Sequence, residues 1–307
     1  MKQQIIVIVG ATATGKSELA VELAKKIEAE IISADSMQLY KGMDIGTAKL
    51  TTEERSDIPH HLIDILEVSE DYSVAEYQSR SREICDQLLA QGRSVVVVGG
   101  TGLYIKAFLD ELNFPDTDPE IRARLLTQGL QIGEDAMHQR LAILDPAAAL
   151  AIPKENLRRV VRALEVIEIT GKPFTANLPR VDSKDQPINV RYPNAKQFGL
   201  VMDRSNLQER IDLRVERMWS AGFVAEVAEL MERGILAGKS AQRALGYAQI
   251  IKFLEGKVSE EAAMEETKRA SRQYARRQET WFSRDSRIQW INQRSTDDRL
   301  ATLISAI

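Results

Sequence analysis

Apolar residues in this chain follow two different periods, and the change from one to the other divides it. Ile5-Ile6-Val7-Ile8-Val9, Ala29 to Ala34 and Val95-Val96-Val97-Val98 are short apolar runs rich in β-branched residues, which predicts strands buried on both faces. Between them the spacing is helical: Leu19, Ala20, Leu23, Ala24 and Ile27 share one face. Ser73 and Glu76 make a capping box, opening a helix that runs to about Leu89 and stops at Gly92. Strand and helix alternate over this first third, as a parallel α/β sheet requires. His61 to Ile65 is expected to be a further strand, and Tyr40 to Ile58 a long polar loop with at most one helix.

From about Asn113 to Ala195 the strand pattern stops. Asp118-Pro119 supplies an N-cap and a first-turn proline for a helix that Gly129 is expected to close. Gly133 to Leu144 is a second helix. Asn156 to Thr170 is a third, apolar at Leu157, Val160, Val161, Leu164 and Ile167 and ended by Gly171. Arg180 to Asn194 is polar with two prolines and is expected to be a return loop. A strand follows over Gln197 to Met202, then helices from about Asn206 to Gln278 and a last short strand at Ile288 to Ile291. The expected organisation is an α/β core over 1–112 and 196–307, interrupted by an all-helical insertion over 113–195.

The turn after the first strand sharpens this. Gly10-Ala11-Thr12-Ala13-Thr14-Gly15-Lys16-Ser17 fits G-x-x-x-x-G-K-[ST] at every fixed position, with a strand before it and a helix after. That arrangement aims several backbone N–H groups and a positive helix end at one anion. Lys16 adds a mobile charge, and the Ser17 hydroxyl is placed to ligate Mg²⁺. The fold class is therefore a P-loop NTPase-like parallel sheet flanked by helices, and the ligand carries a di- or triphosphate.

Bulk composition mostly excludes. With 41 Lys and Arg against 45 Asp and Glu, the net charge is −4, so no global basic field points to nucleic acid. The single Cys85 rules out a disulfide framework, and His60, His61 and His138 lack metal-site spacing. The opening apolar run is too short for a signal or membrane segment, so a cytoplasmic protein is expected.

Ligands of parallel sheets bind beyond the carboxyl ends of the strands, which brings three segments together: the phosphate loop, Asp35-Ser36 and Gly99-Gly100-Thr101-Gly102. Phosphoryl-transfer enzymes usually place a metal-holding acid at the end of a second apolar strand. Here that strand ends in Gly-Gly-Thr-Gly, which speaks against NTP hydrolysis. Asp35 is the acid in position; it is a metal ligand, a general base or only a turn residue. Arg210, Arg214 and Arg217 share one face of a late helix. They form either a solvated stripe or a set from which one reaches a phosphate. Lys268 to Arg287 interleaves seven basic residues with Tyr274 and Trp281. That mixture suits RNA phosphates and stacked bases, or else a charged surface paired to nearby glutamates.

Longer blocks carry a resemblance. The phosphate loop, Ser33 through Lys49 (SADSMQLYKGMDIGTAK), Pro59-His60-His61-Leu62-Ile63-Asp64, Gly99 through Tyr104, Arg162-Ala163-Leu164-Glu165-Val166, Gly246-Tyr247 and Thr267 through Phe282 occur in order. Together they resemble the bacterial tRNA dimethylallyltransferases. Ala11 stands where that family usually has Pro and Ser17 where Thr is common; Asn113 to Ala151 matches weakly. The resemblance implies transfer of a dimethylallyl group from dimethylallyl diphosphate to the exocyclic amine of the adenine 3′ to the anticodon. It implies that the loop with Lys16, Mg²⁺ on Ser17, Thr101 and Arg217 holds the leaving diphosphate, and that Asp35 is the base. It implies RNA contacts from Asp35, Ser36, Met37 and Gln38. Further contacts are implied for Arg158, Arg159, Val160, Val161, Arg162 and Ala163, for Arg243, Ala244, Leu245, Gly246 and Tyr247, and for Gln273, Arg276, Arg277, Gln278 and Thr280. The expected partners are a tRNA anticodon stem-loop and dimethylallyl diphosphate, with no membrane, and the expected state is a monomer. A P-loop kinase and an ATP-switched RNA-binding protein are the alternatives.

Overall fold

The computed structural model describes residues 3–177, 189–292 and 295–307. Its centre is a parallel sheet of six strands: β1 (Ile5–Gly10), β2 (Ala29–Ser33), β3 (His60–His61), β4 (Ser94–Gly99), β5 (Lys196–Leu200) and β6 (Ile288–Ile291). They lie in the order β3-β2-β4-β1-β5-β6, and every neighbouring pair is parallel. Alternate residues of β1 enter different layers. Val7 and Val9 join one apolar cluster, Ile6 and Ile8 the other, and all four are wholly buried. Burying such a side chain stabilises by roughly 1.5–3 kcal/mol, so a strand apolar on both faces demands a helix layer on each side.

One layer is α1 (Lys16–Ile27) with α12 (Thr296–Ala306), which contribute Leu19, Leu23, Leu300 and Leu303. The other contains α2 (Val74–Ala90), capped by the Ser73–Glu76 box, and α3 (Gly102–Leu109). It is extended by α8 (Arg204–Ser220), α9 (Phe223–Glu232), α10 (Tyr247–Leu254) and α11 (Glu260–Phe282). The strand order sets β4 between β1 and β2, so the ends of these three strands are neighbours.

The expected strand at His61 to Ile65 is confined to His60–His61. Leu62 and Asp64 turn to positive φ (59° and 57°), a conformation that ends strand pairing. Apart from a β-bridge between Tyr40 and Leu66, Tyr40 to Ile58 forms turns and irregular loop, pinned by Lys49, whose Nζ bonds Asp44 and Asp64 at 2.5 Å each and the Tyr40 carbonyl at 2.9 Å.

The chain divides into two compact units, Met1–Asp110 with Asn189–Ile307, and Glu111–Ile188. The return to the first unit comes at 189 rather than after 195, because Tyr192 stacks on Phe108 and the Arg191 N–H donates to Leu109 O. Much of the expected return loop, 180–188, lies outside the described residues. The second unit holds α4 (Pro119–Ile132), α5 (Glu134–Leu144), α6 (Pro146–Ala151) and α7 (Leu157–Thr170) around Leu125, Met137, Leu141, Val160 and Leu164. Gly129 does not close α4. It is buried inside the helix, where a Cβ would come within 2.7 Å of Leu157, and Gly133 at φ 87° makes the cap.

Candidate active site

The loop between β1 and α1 takes backbone conformations that side chains resist: φ is 65° at Ala13 and 86° at Gly15. Thr14 is buried, and its hydroxyl donates to Ala11 O at 2.8 Å. Lys16 Nζ donates to the same carbonyl at 3.2 Å. Gln278 of α11 joins this loop to the neighbouring one. Its Oε1 accepts from the Thr12 N–H at 2.8 Å, and its Nε2 donates to Gly100 O at 2.9 Å.

The Gly-Gly-Thr-Gly turn after β4 is a matter of space. A Cβ on Gly99 would stand 2.2 Å from Ala34 O, and one on Gly102 would stand 2.1 Å from the Trp281 ring. Thr101 donates its N–H to Ala34 O and accepts the Ser36 N–H at 3.1 Å. Asp35 Oδ1 accepts the Met37 N–H at 2.9 Å. The turn-residue role thus exists, and it orients the carboxylate as well: among the described residues Oδ2 has no hydrogen-bond donor.

These loops open on one cavity of about 700 Å³ within the first unit, the size of a small-ligand site. Thr12, Lys16, Ser17 and Asp35 line one side, and Arg214, Met218 and Tyr274 line the other. Burial, with the Arg214 charge adding to it, pulls Lys16 down to about 8, and Asp35 opposes both. Arg214 is also lowered, first by burial, with Asp35 again countering. Two desolvated cations that destabilise each other are poised for an anion. Burial, reinforced by Asp35, pushes Tyr274 up to about 12, so it stays a neutral phenol.

A carboxylate of α9 shapes the cavity wall. Glu226 accepts the N–H groups of Asp44, Ile45 and Gly46 at 3.1, 2.7 and 3.3 Å, and the Tyr247 hydroxyl at 2.6 Å. Gly46, Thr47 and Ala48 follow as lining residues. Gln38 belongs to the same wall, with its Nε2 donating to Thr47 O and its Oε1 accepting from Ser33 Oγ.

Several expected site residues stand elsewhere. Arg217 is exposed and lines no part of the cavity. Arg214 lines it instead, its Nη2 near Thr47 O at 3.4 Å. Arg217 sits about 60° round the helix from Arg214, on the side away from Ile211, Val215 and Met218, which line the cavity with Arg214, so only Arg214 of that stripe faces it. Val160, Val161 and Ala163 are packed into the core of the second unit, which removes their side chains from any RNA surface. Arg162 donates to Pro115 O and Asp116 O and pairs with Glu165, while Arg158 and Arg159 are exposed. Arg243, Ala244, Leu245 and Tyr247 do line the cavity, Arg243 exposed and Tyr247 buried against Phe223, while Gly246 is buried and lines none of it. Gln278 is buried between the two loops and lines the cavity from there.

The basic helix α11 splits in two. Lys268, Arg269 and Arg272 are paired with Glu216 and Glu265, Glu266, and Asp212. Farther along, Gln273, Arg276, Arg277 and Thr280 form one exposed face beside the exposed Trp281. Among the described residues, Arg276 and Arg277 have no carboxylate partner, and the Arg277 guanidinium lies 5.7 Å from the Tyr274 ring. The histidines are hydrogen-bonded structurally, His60 to Ile58 O, His61 to Glu30, and His138 to Ala149 O and Ile152 O. Cys85 is buried, and burial raises its thiol to about 12.

Residues 38–285 match the family model described as IPP transferase. The chain is 55% identical to a tRNA dimethylallyltransferase of Thermobifida fusca, spanning 98% of this chain and 94% of that protein. It is 53% identical to one of Streptomyces griseus over 94% and 90%. Among solved structures it is similar to a tRNA isopentenylpyrophosphate transferase from Bacillus halodurans, with TM-score 0.71 and 38% identity over 99% and 95% of the two chains. It is also similar to a eukaryotic dimethylallyltransferase acting on tRNA, with TM-score 0.80 and 26% identity over 99% of this chain and 77% of that one.

Proposed function

Because the chain belongs to the tRNA dimethylallyltransferase family, we propose that its cavity moves the dimethylallyl group of dimethylallyl diphosphate to the exocyclic amine of an adenine beside the tRNA anticodon. One observation carries the assignment: an anion loop and the Asp35 carboxylate meet in one cavity, while β4 ends in Gly-Gly-Thr-Gly without an acid. That pairing fits a reaction in which the diphosphate leaves and a nitrogen loses a proton. It does not fit hydrolysis of a triphosphate, and the kinase alternative loses its ground.

The amine nitrogen attacks the allylic carbon, so a C–N bond forms as the C–O bond breaks. Diphosphate departs with the bonding electron pair. The proton released from nitrogen passes to Asp35 and then to water. An adenine amine is a poor nucleophile, since its lone pair is delocalised into the ring, so both the base and the in-line placement count. Charge grows on the leaving oxygens, where the loop amides, Lys16 and Arg214 stabilise it. Thr101, bonded to Ser36, supports the segment that carries the base.

Among the described residues no three His, Cys, Asp or Glu side chains converge on a point. The Ser17 hydroxyl, at the start of α1 and lining the cavity beside Lys16, would hold Mg²⁺, an ion that binds through few protein oxygens and keeps most of its waters. When bound, the ion neutralises part of the leaving charge.

In the first unit the exposed face of α11 and Arg243 supply RNA contacts, to phosphates and to an unpaired base that can stack; in the second unit the exposed Arg158 and Arg159 supply phosphate contacts of their own. No helix among the described residues is long and apolar enough to cross a membrane. A tRNA substrate fits a protein of the cytoplasm, and we propose that it acts there as a monomer.

Incubation with tRNA, Mg²⁺ and labelled dimethylallyl diphosphate, with ATP in a parallel tube, tests the assignment. Label in the tRNA is expected; ATP turnover with unlabelled tRNA would overturn it. The two arginines are separable in the same assay. Arg214→Gln is expected to lower kcat/KM for the prenyl diphosphate about 100-fold, and Arg217→Gln to leave it within about twofold. Equal losses would return Arg217 to the site.

A further inference from the structure

Two arginines outside the cavity hold the phosphate loop from behind. Arg299 of α12 is nearly buried and donates through Nη1 to Thr14 O at 2.8 Å. Arg210 of α8 donates through Nε to Ala13 O at 3.1 Å. The carbonyls belong to consecutive residues, and the first, Ala13, has the left-handed φ of 65°. Neither arginine lines the cavity.

Peptide planarity gives these contacts a consequence. In a trans peptide the carbonyl of one residue and the N–H of the next point in opposite directions from one plane. Fixing Ala13 O toward Arg210 therefore fixes the Thr14 N–H away from it. Fixing Thr14 O toward Arg299 does the same for the Gly15 N–H. Left-handed Ala13 costs about 1 kcal/mol or more in an unconstrained chain, so the unclamped loop would rotate these peptides out of alignment. The buried charge-assisted bond from Arg299 offsets that cost, and the exposed one from Arg210 adds a smaller share.

We propose that Arg299 and Arg210 are positioning residues: by gripping Thr14 O and Ala13 O they aim the Gly15 and Thr14 N–H groups at the leaving diphosphate. This deepens the diphosphate assignment and rests on it. The anion site is thus completed by the helix at the chain's C-terminal end, and the guanidinium of Arg299 adds positive charge behind the loop without touching the ligand.

Calorimetric titration of the full chain with inorganic diphosphate tests this in the wild type, Arg299→Met, Arg299→Lys and Arg210→Met. Arg299→Met is expected to weaken binding about tenfold, Arg299→Lys to restore part of it, and Arg210→Met to weaken it about threefold to tenfold. Affinity for an anticodon stem-loop RNA should stay at the wild-type value, a split that a general loss of folding would not give. In ¹H–¹⁵N spectra the diphosphate-induced shift of the Gly15 amide should shrink in Arg299→Met. If that variant melts early, the exposed Arg210 decides, because its removal leaves the core intact. Wild-type diphosphate affinity in Arg210→Met and in a folded Arg299 variant would overturn the clamp. A wild-type chain that binds no diphosphate would overturn the underlying assignment instead.

Discussion

Asp35→Ala is expected to lower turnover by about two to four orders of magnitude, the range for a positioned base, with diphosphate affinity close to wild type. The separation follows from geometry. Asp35 lies just past the end of β2, oriented by the Met37 N–H, while the proposed anion loop follows β1. Asp35→Asn keeps the size and the acceptor for that N–H but cannot take a proton. If base chemistry dominates, Asn is as slow as Ala; if placement dominates, Asn recovers much of the rate. Single-turnover transfer from labelled dimethylallyl diphosphate distinguishes them. Near-normal turnover in Asp35→Ala would remove this carboxylate from the mechanism.

The second large effect belongs to Lys16. Lys16→Met should cost about 10²- to 10³-fold in kcat/KM for the prenyl diphosphate, comparable to removing one strong donor from developing charge. In the wild type, a lysine lowered to about 8 by burial and by Arg214 is charged below that pH and neutral above it. Free-enzyme kcat/KM should therefore fall about tenfold per pH unit above the inflection. Lys16→Met should lose that limb. Bound diphosphate favours the ammonium, so kcat bends at a higher pH. Stability moves the opposite way. The unfolded chain holds this proton up to the ordinary lysine value of 10.5, so between the two values it binds more protons than the folded one. The Lys16 penalty on folding is present below about 8 and fades as pH rises. A flat kcat/KM profile from pH 7 to about 10 would contradict this account.

Much of the frame was legible because buried strands leave little choice. Ile5 to Val9 and Val95 to Val98 can only be strands once both of their faces must be covered, and the structure places β1 and β4 there. Local chemistry carried as far: the Ser73–Glu76 box and the Asp118 cap both form. What failed to show was set by distant partners. Nothing in the spacing of Arg210, Arg214 and Arg217 tells which is desolvated, because the burial of Arg214 comes from elements placed by the sheet order. Glu226 looks like one more surface glutamate until Asp44, Ile45 and Gly46, about 180 residues earlier, present three N–H groups to it. Val160, Val161 and Ala163 teach the reverse. Helical periodicity marked Val160 and Val161 as core, and contiguity with arginines drew them into an RNA motif where their side chains cannot serve.

The Gln278 amide spans 266 residues to reach Thr12 and 178 to reach Gly100. A nascent chain can form its first strands and write out the whole glycine-lysine signature long before this amide exists. The loop has all its tethers only after α8, α11 and α12 have arrived, so a stretch of sequence near the start takes its shape from side chains synthesised much later. Such non-local closure slows assembly, and it makes the amide a checkpoint: a molecule that has failed to dock α11 retains the motif yet presents a loop whose two neighbouring turns are no longer tied together.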